Sequence, residues 1–217
     1  MAGRYDVAVT RALTAIATAI VILAISIVPF LTPAWISFEQ GRSGAAGLTG
    51  YDEATLNRVT GSIVRDLVLG GDFGVTIDGA PVLTDSERGH MRDVRGVFVG
   101  FGLLALIGAA ILALAARRVS TPEARAAARR AVRDGARALA VAVAALGVLA
   151  IVAFDAAFEL FHRLFFASGT YTFDPRTSRL VQLFPESFWS DTAIAVGVVA
   201  IVVALGVQTF AARSAIA

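Results

Sequence analysis

The sequence GVFVGFGLLALIGAAILALAA, at residues 96–116, contains no charged side chain. At about 1.5 Å of rise per residue, a helix of this length crosses the roughly 30 Å hydrocarbon core of a bilayer. Two more uncharged stretches, at residues 12–38 and 192–212, are at least as long, and a fourth apolar stretch at 138–161 is interrupted by only two acids. We therefore predict a mainly α-helical fold, a bundle of four transmembrane helices.

The composition excludes several other classes of protein. The 217 residues are 57% hydrophobic, with a mean hydropathy of +0.73, which disfavours the alternative of a soluble helical bundle. The chain has no cysteine, so disulfides, a thiol nucleophile and lipidation of this chain are excluded. The first apolar stretch ends in Pro33-Ala34-Trp35-Ile36, without a small-x-small cleavage site, and we expect it to be retained as a span.

The arginines predict the orientation of these spans. Residues 117–137 carry seven arginines and only two acids, whereas the longer segment 162–190 carries three arginines. The positive-inside rule places the arginine-rich loop and both termini in the cytoplasm. The pI of about 9.6 is then a sign of topology and not of nucleic-acid binding.

These observations divide the chain into seven segments. They are the N-terminus with helix 1 (1–38), an extracytoplasmic cap (39–95), helix 2 (96–116), the cytoplasmic loop (117–137), helix 3 (138–161), a second outer loop (162–190), and helix 4 with the C-terminus (191–217).

The two outer segments predict a small mixed α/β cap. Apolar residues three and four apart predict an amphipathic helix over residues 52–69, and Asp78-Gly79 predicts a hairpin turn. Thr84 and Glu87 have the spacing of a capping box, which predicts a helix that starts near Asp85 and continues into span two. In the second outer loop, the alternation at 171–173 and the apolar run at 180–184 predict short strands.

Only two histidines occur in the chain, and both fall at the predicted outer edge of the membrane. His90 precedes span two and His162 ends span three, and Asp155 and Glu159 are on the helix face of His162. Imidazole is the unperturbed side chain that changes charge near neutral pH, so the pair suggests proton transfer. The alternatives are a solvated loop histidine, an interfacial aromatic belt, and a plain surface ion pair between Glu159 and Arg163.

The remaining inventory favours acid–base chemistry on a substrate that supplies its own nucleophile. The sequence has no Gly-x-Ser-x-Gly elbow, no Ser-x-x-Lys and no His-x-x-x-His, and we expect neither a metal nor a cofactor. Besides the two histidines, we expect six residues to support or orient the site: Glu87, Asp93, Asp155, Glu159, Arg163 and Tyr171.

Several motifs resemble a bacterial integral-membrane family. They are Tyr51-Asp52-Glu53-Ala54-Thr55-Leu56, Asp85-Ser86-Glu87-x-x-His90-Met91-x-Asp93-Val94-Arg95, Phe161-His162-x-x-Phe165-Phe166, Gly169-Thr170-Tyr171-Thr172-Phe173-Asp174-Pro175 and Leu183-Phe184-Pro185. With them, residues 10–212 look like a lipoprotein intramolecular transacylase.

The resemblance implies both an activity and roles for residues. A transacylase of this kind would move the sn-2 acyl chain of a lipoprotein's diacylglycerol to the α-amine of its N-terminal cysteine. His90 would be the main general base, with His162 as its partner, and Tyr171 is a candidate donor to the oxyanion. The partners implied are diacylglyceryl lipoproteins and membrane lipid. The alternatives are a non-enzymatic lipid-binding or scaffold protein and another lipid hydrolase, metal-assisted or not.

Overall fold

The structure, a computed structural model, describes residues 2–213, which are mainly helical. Met1 and residues 214–217, which belong to the predicted cytoplasmic termini, lie outside the described residues. In chain order the elements are α1 (Ala2–Ile27), a 3₁₀ turn (Val28–Leu31), α2 (Pro33–Ser43), α3 (Ala45–Thr49), α4 (Glu53–Leu69), β1 (Thr76–Ile77), β2 (Ala80–Pro81), α5 (Asp85–Arg117), α6 (Pro122–Val152), α7 (Phe154–Phe165), α8 (Arg179–Leu183) and α9 (Glu186–Arg213).

Three helices in the described part of the chain are long and apolar enough to cross a membrane. They are Ala8–Leu31, Asp85–Arg117 and Glu186–Ala212. The last two contain the second and fourth predicted spans, and the first covers the predicted stretch 12–38 only as far as Leu31, because a separate helix begins at Pro33. The third predicted span, 138–161, is not one continuous helix. The backbone leaves helical geometry at Ala153, with φ −148° and ψ 57°, so α6 ends at Val152 and α7 begins anew at Phe154.

The elements predicted between residues 52 and 85 are confirmed. Asp52 caps α4 by accepting a hydrogen bond from the Thr55 amide at 2.8 Å. The hairpin pairs β1 with β2 in antiparallel register, and Asp78 (φ 49°) and Gly79 (φ 79°) form its turn. Two successive positive φ values are what a two-residue hairpin loop of type I′ requires. Helix α5 begins at Asp85 and continues without a break to Arg117.

The strands predicted in the second outer loop are wrong. Residues 179–183 form the short helix α8, and no strand occurs among the described residues of that loop. The Ser178 hydroxyl caps this helix by accepting from the Val181 amide at 3.2 Å. Leu180 and Leu183, one helical turn apart, are both buried. A short apolar run fits either a strand or a buried helix, and the serine cap decides for the helix.

The described residues form two compact units. Unit I comprises residues 29–100 and 149–194, and unit II comprises the rest. In unit I, a core of buried side chains forms around one face of α4, and α2 is tied to it by Gln40. Gln40 Nε2 donates to the Leu183 carbonyl at 3.0 Å, and the Thr60 hydroxyl donates to Gln40 Oε1 at 3.3 Å. These bonds link α2, α4 and α8.

Unit II is packed through small residues. Ala17, Ala136 and Ala204 are almost completely buried, and such residues allow transmembrane helices to approach closely. Gly135 of α6 is the tightest position, because a Cβ atom there would overlap the carbonyl group of Ala15 on α1. The same two helices are joined by Arg11, whose Nε and Nη2 donate to Asp134 Oδ2 at 3.1 and 2.5 Å.

We expect Gly135→Ala to destabilise the protein even though alanine favours helix. Overpacking costs about 1–3 kcal/mol and exceeds the gain of about 1 kcal/mol from helix propensity. The unfolding temperature is measured in detergent, with tryptophan fluorescence as the signal. Gly147→Ala, on the same helix with no atom near its Cβ, is the matched control and should unfold at or slightly above the wild-type temperature. Equal unfolding temperatures for both variants would show that the α1–α6 approach is not close.

Candidate active site

His90 is positioned by the N-terminal turn of α5. The capping box forms as the sequence predicts: the Thr84 amide donates to Glu87 Oε2 at 2.7 Å, and the Glu87 amide donates to the Thr84 hydroxyl at 3.2 Å. His90 follows one turn later and is only 7% exposed. The cap therefore determines where the helix begins and, with it, the direction in which His90 projects.

Glu87 is a buried carboxylate that joins two distant parts of the chain. It is 1% exposed. Its Oε1 accepts from the Ser178 hydroxyl at 2.5 Å and from the Leu180 amide at 2.9 Å, and its Oε2 also accepts from the Thr84 hydroxyl at 3.0 Å. The predicted supporting residue thus binds backbone and hydroxyl groups, and none of its hydrogen bonds goes to an imidazole.

His162 is held by its own helix, α7. Its Nδ1 lies 2.8 Å from the carbonyl oxygen of Phe158, and the side chain is 8% exposed. Because a carbonyl oxygen only accepts hydrogen bonds, Nδ1 carries the proton in this contact. The neutral ring then presents Nε2 as an unprotonated acceptor.

The two imidazoles lie in one site. Their ring centroids are 5.8 Å apart with planes inclined by 23°, so the rings are stacked although 72 positions separate them in the sequence. Phe166 lies 4.9 Å from His90 and 5.3 Å from His162 and closes one side of the pair. Aromatic rings also contact each histidine separately, Phe173 next to His90 and Phe158 next to His162.

Three other predicted residues, Tyr171, Glu159 and Arg163, form a group next to His162. Tyr171 packs its ring 5.1 Å from His162 and donates its hydroxyl to Glu159 at 3.4 Å. Glu159 also accepts from Arg163 Nε at 2.8 Å, the i,i+4 ion pair considered as the plain alternative. Asp155 lies beside Glu186, at the start of α9. The Tyr171 hydroxyl is therefore engaged with a carboxylate.

A cavity of about 320 Å³ opens beside His90. Its lining residues are Ser86, Gly89, His90, Arg92, Asp93, Gly169 and Thr170. The Nδ1 atom of His90 is buried without a hydrogen-bond partner in the described structure. The cavity is therefore polar and has an imidazole in its wall.

Five lining residues and one buried hydroxyl were not predicted as site residues. Ser86, Gly89 and Arg92 are on α5 within four positions of His90, and Ser86 lies one turn before it on the same helix face. Gly169 and Thr170 belong to one of the family motifs but carry no chemical signal of their own, and Ser178 lies in an irregular segment without periodicity. Among the described residues, no three His, Cys, Asp or Glu side chains lie close enough to hold a metal ion together.

Three helices long and apolar enough to cross a membrane, and two stacked imidazoles beside a polar cavity, define an integral membrane protein with a buried histidine pair. The sequence profile of one family, the lipoprotein intramolecular transacylase Lit, matches residues 12–189. The chain belongs to this family and is an acyltransferase, so the non-enzymatic alternative is set aside.

The fold of this chain is similar to that of solved structures. The chain is similar to the membrane integral lipoprotein intramolecular transacylase Lit from Bacillus cereus, with a TM-score of 0.77, 15% sequence identity and coverage of 97% of each chain. Structures of that protein with a histidine replaced by arginine or by alanine match at TM-scores of 0.68 and 0.70, each at 16% identity, and cover 98% and 97% of this chain and 94% of theirs. A search of curated protein sequences finds no match.

We expect Glu87→Ala to lower the free energy of unfolding by about 3 kcal/mol or more. The substitution leaves the Ser178 hydroxyl and the Leu180 amide buried without an acceptor, and each buried unsatisfied group costs about 1–3 kcal/mol. Thermal unfolding in detergent measures the loss. Glu53→Ala removes an exposed acid from the first turn of α4 and should change the unfolding temperature little. Comparable unfolding of the two variants would contradict a stabilising role for Glu87.

Proposed function

We propose that this transacylase moves the sn-2 acyl chain of a lipoprotein's S-linked diacylglycerol to the α-amine of the same lipoprotein's N-terminal cysteine. The product carries an N-acyl chain and a monoacylglyceryl thioether. His90 acts as the general base and His162 as its partner. The observation that carries this proposal is the stacked, buried pair of imidazoles, 5.8 Å apart, with one of them in the wall of a polar cavity.

The substrate supplies both reacting groups. Its amine is the nucleophile and its own ester is the electrophile, so the enzyme needs no nucleophilic side chain. The path from nitrogen through Cα, Cβ, sulfur, two glycerol carbons and the ester oxygen to the carbonyl carbon makes a ring of about eight atoms, which depends on positioning. A site that orients the substrate and moves protons is therefore sufficient.

Proton transfer requires a neutral imidazole. The α-amine has a reference pKa of about 7.7–8.0, so it is mostly an ammonium near pH 7 and must first lose a proton. Burial among Phe166 and Phe173 disfavours a charged ring and keeps His90 available as a base. The ammonium gives its first proton to His90, which releases that proton to His162 or solvent and becomes neutral again. As nitrogen attacks the carbonyl carbon, His90 takes a second N–H proton. The glycerol oxygen accepts that proton when its bond to the acyl carbon breaks.

His162 supports this transfer through its fixed tautomer. With Nδ1–H donating to the Phe158 carbonyl, Nε2 remains an acceptor on the ring that stacks against His90. It can hold the proton that His90 releases, or stabilise the imidazolium of His90 by a hydrogen bond. Tyr171 contributes by packing against His162, and the oxyanion is left to a backbone amide or solvent.

The acyl chains require an apolar surface beside the imidazoles. On α7, Phe161, Leu164 and Phe165 are 45–70% exposed, while His162 on the same helix is buried. Helix α7 thus has one face toward the site and an apolar face open to lipid. We assign that apolar face to the acyl chains of the substrate and to membrane lipid.

The topology we propose has four spans, with α6 and α7 together crossing as the third. Residues 39–95 and 162–190 then lie outside and the termini inside. The Arg11–Asp134 ion pair supports this arrangement, because it joins the start of span one to the arginine-rich segment before span three. Both residues must therefore lie on the same side of the membrane.

We expect His90→Asn to reduce formation of the lyso-form product at least 100-fold, because a positioned base contributes about 10²–10⁴-fold in rate. The assay is mass spectrometry of a purified diacylglyceryl lipopeptide incubated with the enzyme. His162→Asn should lower the rate by a smaller factor. Thermal unfolding of each variant serves as the control for folding.

Undiminished product from folded His90→Asn would refute the assignment of His90. If wild-type enzyme gives a free fatty acid and no N-acyl product, the activity is hydrolysis and the transfer itself is refuted.

Single introduced cysteines test the topology, since the chain has none of its own. Ala54→Cys on α4 and Ser120→Cys between α5 and α6 are both exposed. In intact cells or protoplasts, a membrane-impermeant maleimide should label only the first. After lysis it should label both. Labelling of Ser120→Cys before lysis would contradict a cytoplasmic arginine-rich loop.

A further inference from the structure

The cavity beside His90 contains two charged residues that form no hydrogen bond or ion pair within the described part of the chain. Arg92 and Asp93 both line it. Neither forms a hydrogen bond or an ion pair with another described side chain, whereas Asp72, Glu159 and Asp174 each pair with an arginine. The buried His90 Nδ1 in the same cavity also has no hydrogen-bond partner among the described residues, so a carboxylate, a guanidinium and an imidazole are together available to a substrate.

Asp93 is one helical turn from His90 on α5. Residues three apart on a helix are neighbours on one face, so the carboxylate and the imidazole share the same wall of the cavity. A group held by Asp93 is therefore within reach of His90. This placement distinguishes Asp93 from Asp85, which is also on α5 but whose side chain is fully exposed and which does not line the cavity.

The proposed substrate arrives with a matching charge. Before it can react, the N-terminal cysteine carries an ammonium group, and near pH 7 this form dominates. A carboxylate is the side chain that binds an ammonium by a charge-assisted hydrogen bond. The carbonyl of the same cysteine is an acceptor for the guanidinium of Arg92.

We propose that Asp93 binds the α-ammonium of the substrate cysteine and holds it beside His90, so that the enzyme selects lipoproteins whose N-terminus is still free. This inference rests on the proposed function and assigns its amine subsite. When the ammonium loses its proton to His90, the positive charge moves from the substrate to the imidazole. Asp93 then faces an imidazolium, so its carboxylate keeps a counter-charge through the transfer.

The test uses two unreactive ligands that differ only in the amine. Both are diether lipopeptides, in which ether bonds replace the two esters so that no acyl transfer can occur. One has a free N-terminus and the other is N-acetylated. Binding to the enzyme in nanodiscs is measured for the wild type, for Asp93→Asn and for the matched control Asp85→Asn.

We expect Asp93→Asn to weaken binding of the free-amine ligand about tenfold, as expected for loss of a hydrogen bond to a charged group, and to leave the acetylated ligand unchanged. Asp93→Glu should restore part of the affinity. Asp85→Asn, with the same loss of charge on the same helix, should bind both ligands as the wild type does. Equal weakening for both ligands, or no weakening for either, would overturn the assignment.

A measurement on the wild type alone keeps the inference testable if the variant does not fold. Raising the pH from 7 to 9 removes the charge of the amine, so affinity for the free-amine ligand should fall while affinity for the acetylated ligand stays constant. Parallel pH profiles for the two ligands would reject Asp93 as the ammonium site. The proposed function has its own readout: wild-type enzyme that makes lyso-form lipopeptide but fails these binding tests refutes only the amine subsite.

Discussion

The geometry of the site depends on one buried carboxylate. Glu87 accepts four hydrogen bonds, two from Thr84 and two from the segment at Ser178 and Leu180. A charge removed from water is costly unless donors replace the water, and here two amides and two hydroxyls do so. His90 follows Glu87 by one turn, and the loop that carries Phe166, Tyr171 and Phe173 leads into Ser178. The Glu87 carboxylate therefore sets the position of His90 and of this aromatic loop.

Around Glu87, the protein contributes mainly the burial and orientation of the two imidazoles. Aromatic rings pack against both imidazoles, and burial favours the neutral form of His90. The Phe158 carbonyl selects the tautomer of His162. Such preorganisation suits a reaction in which the substrate already contains nucleophile and electrophile, because orientation and proton transfer are the remaining requirements.

The charges of unit I follow a related logic. Several of its surface acids pair with a nearby arginine, as in the Arg88–Asp72 and Arg163–Glu159 pairs. Arg92 and Asp93 differ because they remain open to the cavity. Unit II uses charge for another purpose, since its Arg11–Asp134 pair joins two helices at their ends.

Local sequence determined the elements whose signals are short-range. The uncharged runs, the Thr84–Glu87 capping box and the Asp78-Gly79 turn each depend on neighbours within a few residues, and the structure has all three. Both histidines were also evident, because the chain has no others. Only tertiary structure decided what surrounds them. The 5.8 Å stacking, the bonds from Ser178 and Leu180 to Glu87, and the cavity wall at Thr170 join residues about 70–95 positions apart. Such contacts form through packing of side chains that are distant in the sequence, and the periodicity of the local sequence does not predict them.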